Sequence, residues 1–351
     1  MKLFHISHTD LDGYGCQFIS KKIFNDGYFI NANYGLEVKL YIADVLSKVE
    51  NTPKDQEILI LITDLNLTVD EARDLDKNIT NLNNNGHKIK LQLLDHHGTG
   101  KKSAQKYDWY YLDTSRSATK ITYEYFIENY KEEFTSKLED GFGDLIQAIN
   151  AVDIWLEDDQ LFEFGKVCMT LISKSYEINN ILFNKQSRDY RFYLLSRSIE
   201  FITKQNGHIK LDESIYHLKK EYLKLNNQDD TIDNIVSKYL VHSLVDRKDD
   251  MTVFYKGHKG LLTFTLGSIS ISANAFLKAN EDYDFFVDIS RRGKASFRAD
   301  NKIDVSILAQ KLAGGGGHPN ASGAAFKDYQ ETVIYEEVKD YFQKKLDNLD
   351  S

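Results

Sequence analysis

Three short polar clusters in this chain combine residue types that can hold cations. His8, Asp10 and Asp12 stand on alternate residues, Asp64 ends an aliphatic run, and Asp95-His96-His97 end another. An extended backbone sends alternate side chains to the same side, so the first cluster can offer two carboxylates and an imidazole together. Mixed oxygen and nitrogen donors suit manganese, cobalt or iron better than calcium, and magnesium prefers fewer histidines. Ordinary readings stand beside these. Asp12-Gly13 is a common turn pair, Asp64 could end its strand or cap a helix starting near Val69, and Asp153 could be a buried aspartate paired to a cation. A carboxylate with two adjacent imidazoles at the end of a buried strand has no common packing explanation. His5, inside the first apolar run, reads as a core histidine.

The elements that must position these residues alternate in type. Leu3 to Ser7, Ile58 to Thr63 and Ile89 to Leu94 are aliphatic nearly throughout, as strands covered on both faces should be. Helical spacing follows from Ser117 to Tyr130 and from Gly143 to Leu156, the latter carrying Asp153. The pattern predicts an open, largely parallel α/β sheet. Ligands of such sheets bind beyond the carboxyl ends of the strands, so polar clusters far apart in sequence are expected to share one crevice. A long charged helical region covers Ser187 to Leu240. Beyond Met251 the texture turns β-rich, with runs at Gly260 to Thr265, Tyr283 to Ser290 and Lys294 to Ala299 and a turn at Arg291-Arg292-Gly293. A helix from Val305 to Leu312 then runs into Gly314-Gly315-Gly316-Gly317-His318.

Composition excludes several classes. At 351 residues and 42% hydrophobic content the chain can support two cores. Its two cysteines, Cys16 and Cys168, cannot make a disulfide framework or a thiolate zinc site. The amino terminus shows no signal core, and the longest aliphatic run, Ile58 to Ile62, is too short to span a bilayer. A soluble cytoplasmic protein without membrane association is expected. The net charge of -9 argues against gripping long nucleic acid by phosphate neutralisation, although metal-binding carboxylates inflate that count and a local basic patch stays open.

In order and type, these residues resemble the DHH phosphoesterases, named after the triplet that stands here at 95 to 97. The glycine run ending at His318, with Gly323-Ala324-Ala325-Phe326 after it, resembles the signature of the C-terminal domain associated with them. The resemblance covers the whole chain. It implies a catalytic domain over 1–186, a helical connector over 187–250, and a smaller C-terminal α/β domain with a mixed sheet over 251–345. By similarity His8 and Asp10 bind one metal, Asp12, His96 and Asp153 bind a second, and Asp64 bridges both. Asp95 orients the histidines, and His97 contacts substrate or supports the ligands.

Two divalent ions, manganese foremost, would activate water for attack on a phosphodiester. The C-terminal domain would contribute the backbone of Gly315, Gly316 and Gly317, which can approach a phosphate closely, and His318 as a donor to a phosphoryl oxygen. A flexible loop is the ordinary reading of such a run, and no Gly-Lys-Ser or Gly-Lys-Thr follows to make it a P-loop. Arg291, Arg292 and Arg298 around the turn, with Arg116 and Ser117, are candidates for substrate contact. The expected substrates are dinucleotides and short RNA, cut to 5′-mononucleotides. Cyclic or linear signalling dinucleotides, phosphoadenosine phosphate and a catalytically inactive nucleotide-binding regulator are the alternatives. No stable long nucleic-acid partner is expected, and a homodimer is left open.

Overall fold

A computed structural model describes residues 1–226 and 228–349. The chain begins β1 (Lys2–Ser7), α1 (Leu11–Lys21), β2 (Tyr28–Asn31), α2 (Leu36–Glu50), β3 (Glu57–Thr63), α3 (Val69–Asn84) and β4 (Lys88–Asp95). It continues through α4 (Lys101–Ala104), β5 (Tyr110–Leu112), α5 (Ala118–Asn129), α6 (Lys131–Thr135), α7 (Phe142–Asp153) and α8 (Phe162–Ser173). The first five strands form one parallel sheet in the order β2-β1-β3-β4-β5. Side chains alternate across it. Ile58, Ile60 and Ile62 of β3 join Phe4 and Ile6 of β1 in a core shared with Val38 and Val45 of α2 and Leu75 of α3. Leu59 and Leu61 point to the other face and are equally buried, which is why these strands read as unbroken aliphatic runs.

His5 points to that second face. It is fully buried, with Nδ1 2.7 Å from Ser20 Oγ of α1 and Nε2 2.8 Å from Thr63 Oγ1 of β3. Its role is packing, as its place inside a strand suggests.

The helical middle consists of α9 (Asn184–Ile202), α10 (Gly207–Leu223) and α11 (Ile232–Val245). The remaining elements are β6 (Thr252–Tyr255), β7 (His258–Phe264), α12 (Ser270–Ala279), β8 (Phe285–Ile289), β9 (Lys294–Ala299), α13 (Val305–Ala313), β10 (Gly316–His318), β11 (Ala321–Ala325) and α14 (Tyr335–Asp347). Their six strands form a mixed sheet in the order β10-β11-β9-β8-β7-β6, with only β7 and β8 parallel among the paired neighbours. The chain divides into two compact units. One comprises Met1–Ser175 with Arg188–Ile215, the other Tyr176–Ser187 with Tyr216–Ser351. No helix among the described residues is long and apolar enough to cross a membrane.

The turn at Arg291-Arg292-Gly293 joins β8 to β9 as an antiparallel hairpin. Gly293 has φ 71°, and a Cβ there would lie 2.7 Å from Tyr329 Cβ, so position 293 requires glycine. The glycine run is not a flexible loop. Gly314 ends α13 in the left-handed region at φ 65°, and Gly316 already pairs with Gly323 in an antiparallel hairpin. A Cβ at Gly315 would meet the Gly323 carbonyl oxygen at 2.2 Å, and one at Gly317 the Ala321 carbonyl oxygen at 2.5 Å. Gly314 and Gly316 face open space.

Candidate metal centre

Strand order in the first sheet reverses between β1 and β3, the point where open α/β sheets form a crevice at their carboxyl ends. The register brings the strand ends level, because Ser7 pairs with Thr63 and Thr63 with Leu94. The next residues are His8, Asp64 and Asp95. Ser7 strengthens the junction by donating its hydroxyl to the Gly13 carbonyl at 2.8 Å. Gly13 sits so close to this loop that a Cβ would fall 2.3 Å from the His8 carbonyl oxygen. The pair Asp12-Gly13 is therefore no surface turn. It lies in the first turn of α1, with Asp12 buried.

Asp10 is the N-cap of α1. Its Oδ1 accepts from the Gly13 amide at 3.0 Å, while its Oδ2 lies 2.7 Å from His8 Nδ1. Asp12 is clamped by the start of α5. Its two carboxylate oxygens accept from the Ala118 and Thr119 amides at 2.8 Å each, and its carbonyl accepts from Thr119 Oγ1 at 2.7 Å. Helix amino termini offer unpaired amides and partial positive charge to such a group. Asp64 does not cap α3; Thr68 does, in a reciprocal capping box with Glu71. Instead Asp64 takes a left-handed backbone, φ 56°, at the end of β3.

The Asp64 carboxylate lies between two groups of ligands. Oδ2 is 3.6 Å from His8 Nδ1, and Oδ1 is 3.4 Å from His96 Nε2 and 3.9 Å from His97 Nδ1. His96 Nε2 is also 3.7 Å from Asp12 Oδ2 and 3.5 Å from Asp153 Oδ2. Three overlapping groups result, His8-Asp10-Asp64, Asp64-His96-His97 and Asp12-His96-Asp153. In each, the donor atoms lie within 4.8 Å of one another. Asp95 stands behind them, fully buried. His97 Nδ1 lies 2.8 Å from its Oδ1, and Tyr110 donates its hydroxyl to Oδ2 at 2.7 Å.

The donors fit divalent cations. Asp64 Oδ2 is buried with no hydrogen-bond partner, a costly state for a carboxylate unless a cation satisfies it. Burial, then the charge of Asp12, pushes the Asp64 carboxyl well above the ordinary range. Asp12 and Asp153 are raised as well, again first by burial. Burial works against protonation of His8, but the hydrogen bond to Asp10 and the charges of Asp10 and Asp64 outweigh it and lift the imidazole to about 10. Asp10, despite burial, is held down to about 2 by His8. His97 is raised, first by its bond to Asp95. The cluster thus demands positive charge, and a protonated His8 meets only part of that demand.

The candidates outside the cluster have varied placements. Arg116 is engaged by Asp113, Glu124 and the Tyr111 hydroxyl. Ser117, a candidate for substrate contact by its position, is fully buried, and its hydroxyl oxygen accepts from the Lys120 amide as the N-cap of α5. Ser117 therefore starts the helix whose amides hold Asp12. In the second unit Arg292 and His318 are exposed, and Arg291 faces Glu331 at 3.5 Å. Arg298 donates to Ser270 Oγ and to the Phe297 carbonyl, both at 2.8 Å. It lines a cavity of about 590 Å³ with Lys238, Lys278, Asn274 and Asp300.

Tyr34 was not marked by any motif. It follows β2, and its ring centroid lies 5.3 Å from that of His8 and 6.0 Å from that of His97. The amides that clamp Asp12 also went unseen, since backbone donors leave no trace in residue type.

Fold and site together define a class of open α/β proteins with a carboxylate and imidazole centre at the strand ends. Comparison with known proteins narrows it. The DHHA1 domain model matches residues 258–349. The chain is 38% identical over 351 residues to a 3′,5′-cyclic-nucleotide phosphodiesterase of Helicobacter pylori (strain ATCC 700392 / 26695), covering 99% of each chain. It is 25% identical over 335 residues to Oligoribonuclease NrnB of Bacillus subtilis (strain 168), covering 93% of this chain and 73% of that one. A crystal structure of a Helicobacter pylori G27 protein matches with a TM-score of 0.93 at 38% identity, covering 99% of each chain. The chain belongs to the DHH/DHHA1 phosphoesterase family and is a phosphoric diester hydrolase.

Proposed function

We propose that this phosphodiesterase hydrolyses small nucleotides to 5′-mononucleotides with two divalent cations held around Asp64. The observation that carries this reading is the Asp64 carboxylate itself, buried, with one oxygen toward His8 and the other toward His96 and His97. His8 and Asp10 would hold one cation and Asp12, His96 and Asp153 the other, with Asp64 within reach of both. The mixture of carboxylates and imidazoles favours manganese. Such cations, when bound, activate water for attack on phosphorus and neutralise the charge that develops on the phosphoryl group.

The chain's own groups do the rest. The α5 amides fix Asp12, and Tyr110 and Asp95 fix His97. Outer partners of this kind keep ligands oriented. In the C-terminal unit His318, Arg292, Arg298 and the Gly316 backbone are the groups we assign to the nucleotide.

Similarity over nearly the whole chain to a 3′,5′-cyclic-nucleotide phosphodiesterase favours a cyclic nucleotide as substrate. The lower similarity to an oligoribonuclease supports short linear RNA as the second reading. One reaction serves both. The water oxygen bonds to phosphorus, the bond from phosphorus to O3′ breaks, O3′ takes up a proton, and a 5′-monophosphate results.

The test is incubation of metal-stripped protein, with and without added manganese, with 3′,5′-cyclic AMP, a diribonucleotide, a long RNA and inorganic pyrophosphate. Chromatography should show 5′-mononucleotide from one or both of the first two, only with the metal present. Full activity after exhaustive chelation, or release of phosphate from pyrophosphate alone, contradicts the proposal.

A further inference from the structure

We propose that Tyr34 is a substrate-contacting residue whose phenolic hydroxyl donates a hydrogen bond to a non-bridging phosphoryl oxygen of the bound nucleotide. The inference rests on the phosphodiesterase reading above and adds to it a group that no sequence motif marks.

Tyr34 lies against the metal centre. Its ring is tilted 50° to that of His8 and stands edge-on, at 81°, to that of His97. Its hydroxyl lies 3.4 Å from His97 Nδ1, 3.5 Å from His97 Nε2 and 3.5 Å from the Asp64 carbonyl oxygen. These distances lie at or beyond the edge of useful hydrogen bonding, so none of them commits the hydroxyl proton. A phenol next to a cluster of carboxylates and imidazoles would ordinarily settle on one of those acceptors at about 2.7 Å, as Tyr110 does on Asp95. Tyr34 also remains 43% exposed, although it touches both histidines. A tyrosine that served only to pack the centre would be expected to turn its free face inward.

The loop that carries Tyr34 is anchored on both sides. Before it, Asn31 Nδ2 donates to the His8 carbonyl at 2.9 Å. The side chain of Asn33 accepts from Thr9 Oγ1 at 2.8 Å, and its backbone amide donates to the buried Glu37 carboxylate at 2.8 Å. Immediately after it, Gly35 turns the chain at φ 85° into α2. Thr9 and His8 belong to the metal loop, so the ring is held in register with the ligands rather than swinging from a free tip. A rigid, partly solvated donor beside the metals is what stabilises charge developing on phosphoryl oxygens, because it needs no reorganisation as the reaction proceeds.

The experiment compares wild-type protein with Tyr34→Phe, which keeps the ring against His8 and His97 and removes the hydroxyl. Three quantities are measured: manganese affinity by calorimetric titration, affinity of the manganese-loaded protein for the product AMP, and kcat/KM on the better of 3′,5′-cyclic AMP and a diribonucleotide. Manganese affinity should stay within about two-fold, AMP affinity should weaken, and kcat/KM should fall about ten-fold to a hundred-fold, the order expected for one transition-state donor. Thermal unfolding of the variant checks that it is folded. Unchanged AMP affinity and kcat/KM overturn the proposal. So does a loss of manganese affinity that tracks the loss of activity, which would make Tyr34 a prop for His97. Wild-type protein that cleaves neither substrate removes the small-nucleotide reading and this inference with it, whereas active wild type with an unaltered variant removes this inference alone.

Discussion

Asp64 concentrates the chemistry of the site in one side chain. It combines a left-handed backbone at φ 56°, near-complete burial and a carboxylate oxygen without a hydrogen-bond partner. Strain and unsatisfied polarity of this kind persist where function requires them. Two opposite effects of Asp64→Asn follow. In metal-free protein the substitution removes a charge that burial and Asp12 disfavour, so the melting temperature at pH 7 to 8 should rise. The sign agrees with the raised carboxyl. Its folded-state pKa lies above the unfolded value, so the metal-free protein loses stability as pH rises from the unfolded value through the folded one. With manganese present the order should reverse, because wild type gains binding stabilisation that the variant lacks. Activity should fall at least about a hundred-fold, beyond what loss of an outer partner costs. Calorimetric melting with and without manganese reads both effects; a variant less stable than wild type in both conditions contradicts this role for Asp64.

Elements supply the geometry, and β1 makes its part testable through His5. Burial first, then the charge of Arg188, lowers that imidazole to about 3. The unfolded chain takes up this proton near pH 6.5 and the folded chain does not until about pH 3. The unfolded state therefore binds more protons in that window, and stability is lost as pH falls through it, by up to about 1.4 kcal/mol per pH unit. His5→Gln should flatten that slope in urea unfolding measured from pH 7 to 4. Equal slopes would show that His5 is not held neutral. The same strands explain what was legible. β1 and β3 are buried on both faces, so their runs were plain, while β4 exposes Lys88 and Lys90 before its buried end, Leu93 to Asp95, where the Asp95-His96-His97 cluster begins. The four-residue β2 and three-residue β5 are too short for a periodic signal. Tyr34 was missed for another reason: its partners His8 and His97 are distant in sequence, and only the order β2-β1-β3-β4 brings them together. The glycine run looked like either a phosphate loop or a flexible one because close backbone contact with β11, which requires glycine at 315 and 317, is invisible in one dimension. That Ser117 is buried as the cap of α5 was not legible, because a helix cap and a substrate hydroxyl share the same residue type.

Across the full chain, each of the two compact units has its own sheet, and the metal-ligand candidates all belong to the first. His318 belongs to the second. If it contacts nucleotide and not metal, His318→Ala should leave manganese affinity unchanged and lower turnover about ten-fold to a thousand-fold. Calorimetry and kinetics on the same preparation decide it; weakened manganese binding would make His318 a ligand. A cyclic mononucleotide lies outside the substrates that the sequence suggests, because residues able to hold the cations do not by themselves select a substrate. The proposed mechanism depends above all on Asp64 joining two cation sites. Anomalous diffraction from crystals of the full chain soaked in manganese locates those cations without recourse to activity. We expect two peaks flanking the Asp64 carboxylate, one beside His8 and Asp10 and the other among Asp12, His96 and Asp153. A single peak, or peaks that leave Asp64 without a metal contact, would contradict it.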